Sequence, residues 1–154
     1  MSAPETGRVN HLRIGEAILL GRETLTRKPI PGLFADAFTL VAEVIELQTK
    51  PSRPYGERAQ DAFGRVPVFQ DKGLIRRAIL ALGEQDIDPT AIEPRIDVDV
   101  LGASSDHLIL DARQCALEVG AEVKFDVQYS ALLRAMTAPY VHKLYLRSNG
   151  VDLQ

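Results

Sequence analysis

Arg13, Gly15 and Glu16 lie in the run Asn10-His11-Leu12-Arg13-Ile14-Gly15-Glu16-Ala17-Ile18-Leu19-Leu20-Gly21. A strand end that turns into a short helix at Gly15 aims bare N–H groups and a positive dipole end at whatever lies in front of it. Glycine at that point lets an anion approach the backbone closely. Phosphate binding needs such N–H groups together with a hydroxyl or a cation, and the Tyr129 hydroxyl is a candidate for the second part. The same residues also make an ordinary strand–helix turn with a surface arginine, and Tyr129 also reads as a half-buried aromatic at a strand end.

Other chemistries find less support. Ser104, Ser105, Asp106 and His107 are contiguous, whereas a hydrolytic triad converges from separate elements. No Gly-x-Ser-x-Gly elbow occurs. His11, His107 and His142 are far apart in sequence. Asp97, Asp99 and Asp106 could cluster, but alternating aspartates on a strand usually mark a solvated face, so no metal is expected. A single cysteine, Cys115, excludes a disulfide framework and a cysteine-based zinc site.

The elements that must position these residues belong to a chain of 154 residues, the length of one domain or of one and a fragment. It is 45% hydrophobic and 25% charged, enough for a core. The net charge is −3 and the basic residues are scattered, which argues against a nucleic-acid partner. The polar start has no signal core, and the aliphatic run Ala17–Leu20 is too short to span a bilayer. No membrane association and a cytoplasmic location are therefore expected. Residues 1–9 read as a lead-in rather than the start of a compact domain, a hint that the fold begins upstream.

Residues 22–36 carry two prolines, a glycine and clustered charge, and read as a long irregular connection. Strands are expected at 37–49, near Val66–Phe69, at 95–102, at 107–111, at 123–128 and at 141–146. Residues 74–83 fit a helix or a strand by periodicity, and strand is favoured because the segment ends at a glycine among β elements. A single helical turn is expected at 89–92 and a helix at 130–136, ended by Pro139. Many short strands with turns between them predict an antiparallel β-barrel or sandwich.

Several motifs occur in order: Gly21-Arg22-Glu23-Thr24, Arg27-Lys28-Pro29-Ile30-Pro31-Gly32, Asp36-Ala37-Phe38, Pro54-Tyr55-Gly56 and Gln60-Asp61-Ala62-Phe63-Gly64. They continue with Ala78-Ile79-Leu80-Ala81-Leu82-Gly83, Leu101-Gly102-Ala103-Ser104-Ser105-Asp106-His107-Leu108 and Met136-Thr137-Ala138-Pro139-Tyr140-Val141. With Arg13–Gly21, this series resembles the alanine-racemase-like amino-acid racemases, fold-type-III enzymes that use pyridoxal 5'-phosphate (PLP), and most of all their ornithine/alanine racemase branch. The resemblance covers residues ~10–146.

It implies a mainly β chain: a C-terminal antiparallel β-barrel preceded by the last strand and helix of a (β/α)8 barrel. The implied divisions are 1–21 for the barrel remnant, 22–36 for the inter-domain connection and 37–154 for the β-barrel domain. It implies that Arg13 faces the cofactor's pyridine nitrogen, that the backbone of Gly15 and Glu16 holds its phosphate, and that Tyr129 bonds the same phosphate. Ser105 and Asp106 match a Met-Asp pair near the substrate site of the neighbouring subunit, the serine being a departure. Glu84 stands where the family has a catalytic tyrosine, so Tyr55 and His107 are speculative replacements for the second base.

The cofactor-bearing lysine has no match. Lys28, Lys50, Lys72, Lys124 and Lys143 all lie outside the strand where it belongs. The chain is therefore expected to be inactive alone and to need the missing (β/α)8 half, or a partner encoded upstream, with a homodimer as the family's assembly. The other reading is a stand-alone β-barrel with a dimerisation or protein-interaction role. In either case Ala17–Leu20 is expected as an exposed apolar patch. Glu84, Asp86 and Asp106 are candidate acceptors for a basic substrate's distal amine.

Overall fold

The structure is a computed structural model, and it describes residues 11–53, 55, 56, 60, 64, 71–147 and 150–152. The expected strand near Val66–Phe69 and most of the Pro54–Gly64 motifs lie outside these residues. The chain divides into two compact units, Met1–Ala37 and Phe38–Gln154.

In the second unit the organising strand is β1, Leu40–Pro51. Its first half alternates, with Leu40, Ala42 and Val44 inward and Val41, Glu43 and Ile45 outward, as a half-buried strand must. Residues Leu40–Glu43 pair with β6, Glu122–Val127, and Val44–Pro51 pair with β2, Leu74–Leu80. A register shift between Val44 and Glu46 marks the bend that lets one strand serve both halves of the sheet. The remaining strands are β3, Ile92–Pro94, β4, Asp99–Ala103, and β5, Leu108–Asp111.

All pairings are antiparallel, in the order β3-β6-β1-β2-β5-β4. The two edge strands, β3 and β4, are joined directly by residues 95–98, and the six strands form a nearly closed barrel. Its interior holds Val44, Leu80, Leu108, Leu110, Val123 and Phe125, all fully buried. The helix α2, Tyr129–Thr137, adds Ala131, Leu132 and Ala135 to the buried set. A separate hairpin joins β7, Tyr145–Arg147, to β8, Gly150–Asp152.

Most of the expected strands shift by one to three residues at their ends, and three change more in kind. The strict alternation of 95–102 hides a corner: Arg95–Asp97 turn between β3 and β4, and the strand starts at Asp99. The expected strand at 141–146 begins only at Tyr145. The chain 81–83 leaves β2 to start a turn. Neither β3 nor β8 was expected; both are three-residue strands too short for periodicity to reveal.

In the first unit the helix α1, Glu16–Leu20, starts at Gly15 and ends at Gly21. Gly21 has φ +62°, and a Cβ there would lie 2.2 Å from the Phe34 carbonyl oxygen, so only glycine fits. Residues 22–29 are irregular but internally bonded. Arg22 and Pro29 form a bridge, the Glu23 N–H donates to the Lys28 carbonyl at 2.9 Å, and the Glu23 carboxylate accepts from Leu25 and Thr26. Residues 11–15 are not a strand, contrary to expectation. A barrel strand is held by neighbours on both sides, and no ladder partner exists among the described residues. Leu12, Ile14, Ile18 and Leu19 are exposed, but Leu20 is buried, so the apolar patch stops short of the full Ala17–Leu20 run.

Candidate functional site

The strand order brings two loops to one end of the barrel. Leu80, the last residue of β2, pairs with Leu108, the first of β5. The turn that follows β2 and the turn between β4 and β5 therefore emerge side by side. Their backbones interlock: the Glu84 N–H donates to the Ser104 carbonyl and the Gln85 N–H to the Ser105 carbonyl, each at 2.9 Å. Gly83 is pressed against the second turn. A Cβ there would sit 2.3 Å from the Asp106 nitrogen and the Ser105 oxygen, a clash with backbone that cannot swing away.

Asp86 is buried within this seam. Its Oδ2 accepts from the Gly83 N–H at 3.1 Å, while its Oδ1 has no hydrogen-bond partner among the described residues. Asp106 is exposed on the neighbouring turn. Its Oδ1 accepts from Ser105 Oγ at 3.0 Å and Ser104 Oγ at 3.3 Å, and lies 3.2 Å from His107 Nδ1. The Ser105 hydroxyl foremost, with attraction to His107, holds the Asp106 carboxyl below its ordinary range.

Helix α2 is tied to the same framework. Arg134 Nη1 donates to the carbonyls of Glu84 at 2.9 Å and Ile87 at 3.0 Å. The Gln128 N–H donates to the Ala91 carbonyl at 2.8 Å, just before Tyr129. Asp88 caps the 3-10 turn Pro89–Ala91 by accepting from the Thr90 N–H at 3.0 Å and hydroxyl at 2.7 Å. The Thr90 hydroxyl, then that of Ser130, lower the Asp88 pKa. Tyr129, the Gly83–Ile87 turn and the Ser104–Asp106 turn are thus parts of one hydrogen-bonded body.

Arg13, Gly15 and Glu16 belong to the first unit. Arg13 is exposed, and Gly15 starts α1 with no side-chain cap. The Glu16 carboxylate pairs with Arg27. The Tyr129 hydroxyl is bonded to no described residue, and the side chain is 36% exposed. Tyr55 is exposed, and His107 faces Asp106.

Asp97 and Asp99 are engaged by Arg113, and Asp99 also by Lys72 at 3.3 Å. The Arg113 bond, above all, lowers the Asp99 pKa. Among the described residues no three His, Cys, Asp or Glu side chains come together to hold a metal. No helix among them is long and apolar enough to cross a membrane.

Sequence reasoning passed over Arg134 and Asp88 as site-building residues. Asp88 carried a signal, since Asp-Pro-Thr is cap chemistry with proline at the first helical position. Arg134 carried only that of a basic residue near a helix end, which says nothing of carbonyls 47 and 50 positions away.

Over most of its length the chain is similar to two curated amino-acid racemases. It is 49% identical over 140 residues to the lysine racemase of Thermotoga maritima, a match covering 89% of this chain and 39% of that protein. It is 45% identical over 138 residues to the ornithine racemase of Acetoanaerobium sticklandii, covering 88% of this chain and 39% of that protein. The chain thus spans about 39% of the length of these curated relatives. No protein-family model matches it.

Proposed function

We propose that this chain is the C-terminal β-barrel portion of a PLP-dependent racemase acting on a basic amino acid, and that it does not racemise by itself. The observation that carries the reading is the identity of 49% and 45% to lysine and ornithine racemases over nearly the whole chain. The basic substrate is inferred from what those two proteins are named for.

Each candidate donor has chemistry that a part of the cofactor needs. In the first unit, Arg13 would offer a permanent charge to the pyridine nitrogen and the uncapped start of α1 backbone N–H groups to the phosphate; in the second unit, Tyr129 would offer a hydroxyl. When bound, the cofactor serves as the sink for electrons released as a proton leaves the substrate α-carbon. A guanidinium against the ring nitrogen disfavours a second positive charge there and so moderates that sink. Ser105 and Asp106, on the interlocked turns, face the substrate side in this reading.

None of the five lysines occupies the cofactor-bearing position of the family. The partner is then a (β/α)8 half that provides it, in a homodimeric assembly and in the cytoplasm. The test is polarimetry on L-lysine and L-ornithine with PLP, first with the chain alone and then with a lysine-bearing (β/α)8 half added. Turnover by the chain alone contradicts the reading; turnover only in the mixture supports it.

A further inference from the structure

We propose that Arg134 is a positioning residue for racemisation, holding the turns on the substrate side in register with the helix that carries Tyr129; this rests on the racemase reading above and goes beyond it to the device that aligns its two sides. In that reading Tyr129 serves the cofactor phosphate, and Ser105 and Asp106 face the substrate. These residues come from different elements. Tyr129 is the first residue of α2, whereas Ser105 and Asp106 lie between β4 and β5. The Gly83–Ile87 turn links the two, and it carries Glu84, which by resemblance stands at the position of the family's second base.

Arg134 completes that link. Its Nη1 donates to the carbonyls of Glu84 at 2.9 Å and Ile87 at 3.0 Å, so one side chain holds the turn at two points. The turn holds the next one: the N–H groups of Glu84 and Gln85 donate to the Ser104 and Ser105 carbonyls, each at 2.9 Å. Ile87 is fully buried, and Arg134 is the only donor to its carbonyl among the described residues. A buried carbonyl deprived of its donor is costly, so removing the guanidinium favours a shift of the turn towards water.

Helix α2 is thereby tied near both ends. At its start the Gln128 N–H donates to the Ala91 carbonyl at 2.8 Å, and in its last turn Arg134 reaches the Gly83–Ile87 turn. One tie fixes a point on the helix; two fix its direction, and with it the place of Tyr129. Any cation near the end of the helix can stabilise the negative end of its dipole. Lys143 does so as well, its Nζ donating to the Ala138 carbonyl, but among the described residues it bonds neither turn. It separates a stabilising role from a positioning one.

The experiment compares R134M, R134K and K143M with wild type in two readouts. The first is the amide NMR spectrum of the full chain alone. R134M should move the amides of residues 84–88 and of Tyr129, K143M should leave them in place, and R134K should lie between R134M and wild type. The second is racemisation of L-lysine and L-ornithine by each chain mixed with the lysine-bearing (β/α)8 half and PLP. R134M should lower kcat by about tenfold or more with KM changed by less than about threefold, because misplaced groups slow the chemical step while Arg134 itself touches no substrate. R134K should recover part of the loss, and K143M should match wild type. Where R134M does not fold, R134Q, which keeps an N–H donor without the charge, takes its place under the same expectations.

Unmoved amides at 84–88, a kcat within about twofold of wild type, an equal loss in K143M, or no recovery in R134K overturns the proposal. The two failures are distinguishable. A wild-type mixture without turnover fails the racemase reading and the positioning role with it; an active wild-type mixture with an unaffected R134M fails the positioning role alone.

Discussion

Gly83 shows how much can depend on a missing side chain. Its Cβ would meet two backbone atoms of the adjoining turn at 2.3 Å, so Gly83→Ala must separate the turns or bend β2. We expect a loss of about 1–3 kcal/mol in urea unfolding, with amide shifts at Ser105 and Asp106 as well as at residue 83. An unchanged midpoint with unchanged shifts would contradict the interlock. Asp88 illustrates a titratable contribution. Its folded pKa lies below the ordinary 3.8 because Thr90, then Ser130, bonds the charged form. Its stabilisation is therefore fully present above about pH 3.8 and is lost as pH falls through the lowered value. D88N should flatten that part of the acid unfolding curve, measured by circular dichroism, while wild type retains the slope. The Asp88 cap was signalled in sequence by Asp-Pro-Thr, but the Gly83 contact was not: Gly83 read as the end of a strand, and only the strand order shows what it touches.

At the scale of elements, the longest and most periodic segments were legible. β1 was expected from its β-branched run, β5 as the strand returning from the polar turn at 103–106, β6 from alternation, and α2 from a helix-like run that stops before Pro139. Corners were not. The outward positions of Asp97 and Asp99 continue the alternation through a turn, because both aspartates are drawn to Arg113 rather than set by one strand. Residues 11–14 have a strand's composition without a strand's partners. Leu12 is 70% exposed and Ile14 59%, so nothing in the described residues shields their backbone. Hydrogen exchange should therefore be fast at residues 11–19 and slow at Val123 and Phe125 in β6, which are fully buried. Protection at Leu12 and Ile14 equal to that of β6 would show that this segment is packed in the chain alone.

At the scale of the whole molecule, the fold class followed from the count of short strands, but the convergence of the site did not. Glu84, Asp86, Ser105, Asp106 and Tyr129 are spread over 46 positions of sequence, from 84 to 129. The elements that carry them are tied together because β5 lies between β2 and β4 and because Arg134 bonds α2 to the first turn. Arg13 and Gly15 belong to the other unit; the role proposed for Arg13 rests on family resemblance, and that proposed for Gly15 on the local turn as well. The central claim is that this β-barrel works as one part of a racemase whose cofactor-bearing lysine comes from elsewhere. The most direct measurement is the rate of racemisation of L-lysine and L-ornithine with PLP, for the chain alone and for the chain mixed with a lysine-bearing (β/α)8 half. The account predicts no turnover above the PLP-only control for the chain alone and turnover in the mixture. Turnover by the chain alone, or a mixture no faster than the added half by itself, would contradict it.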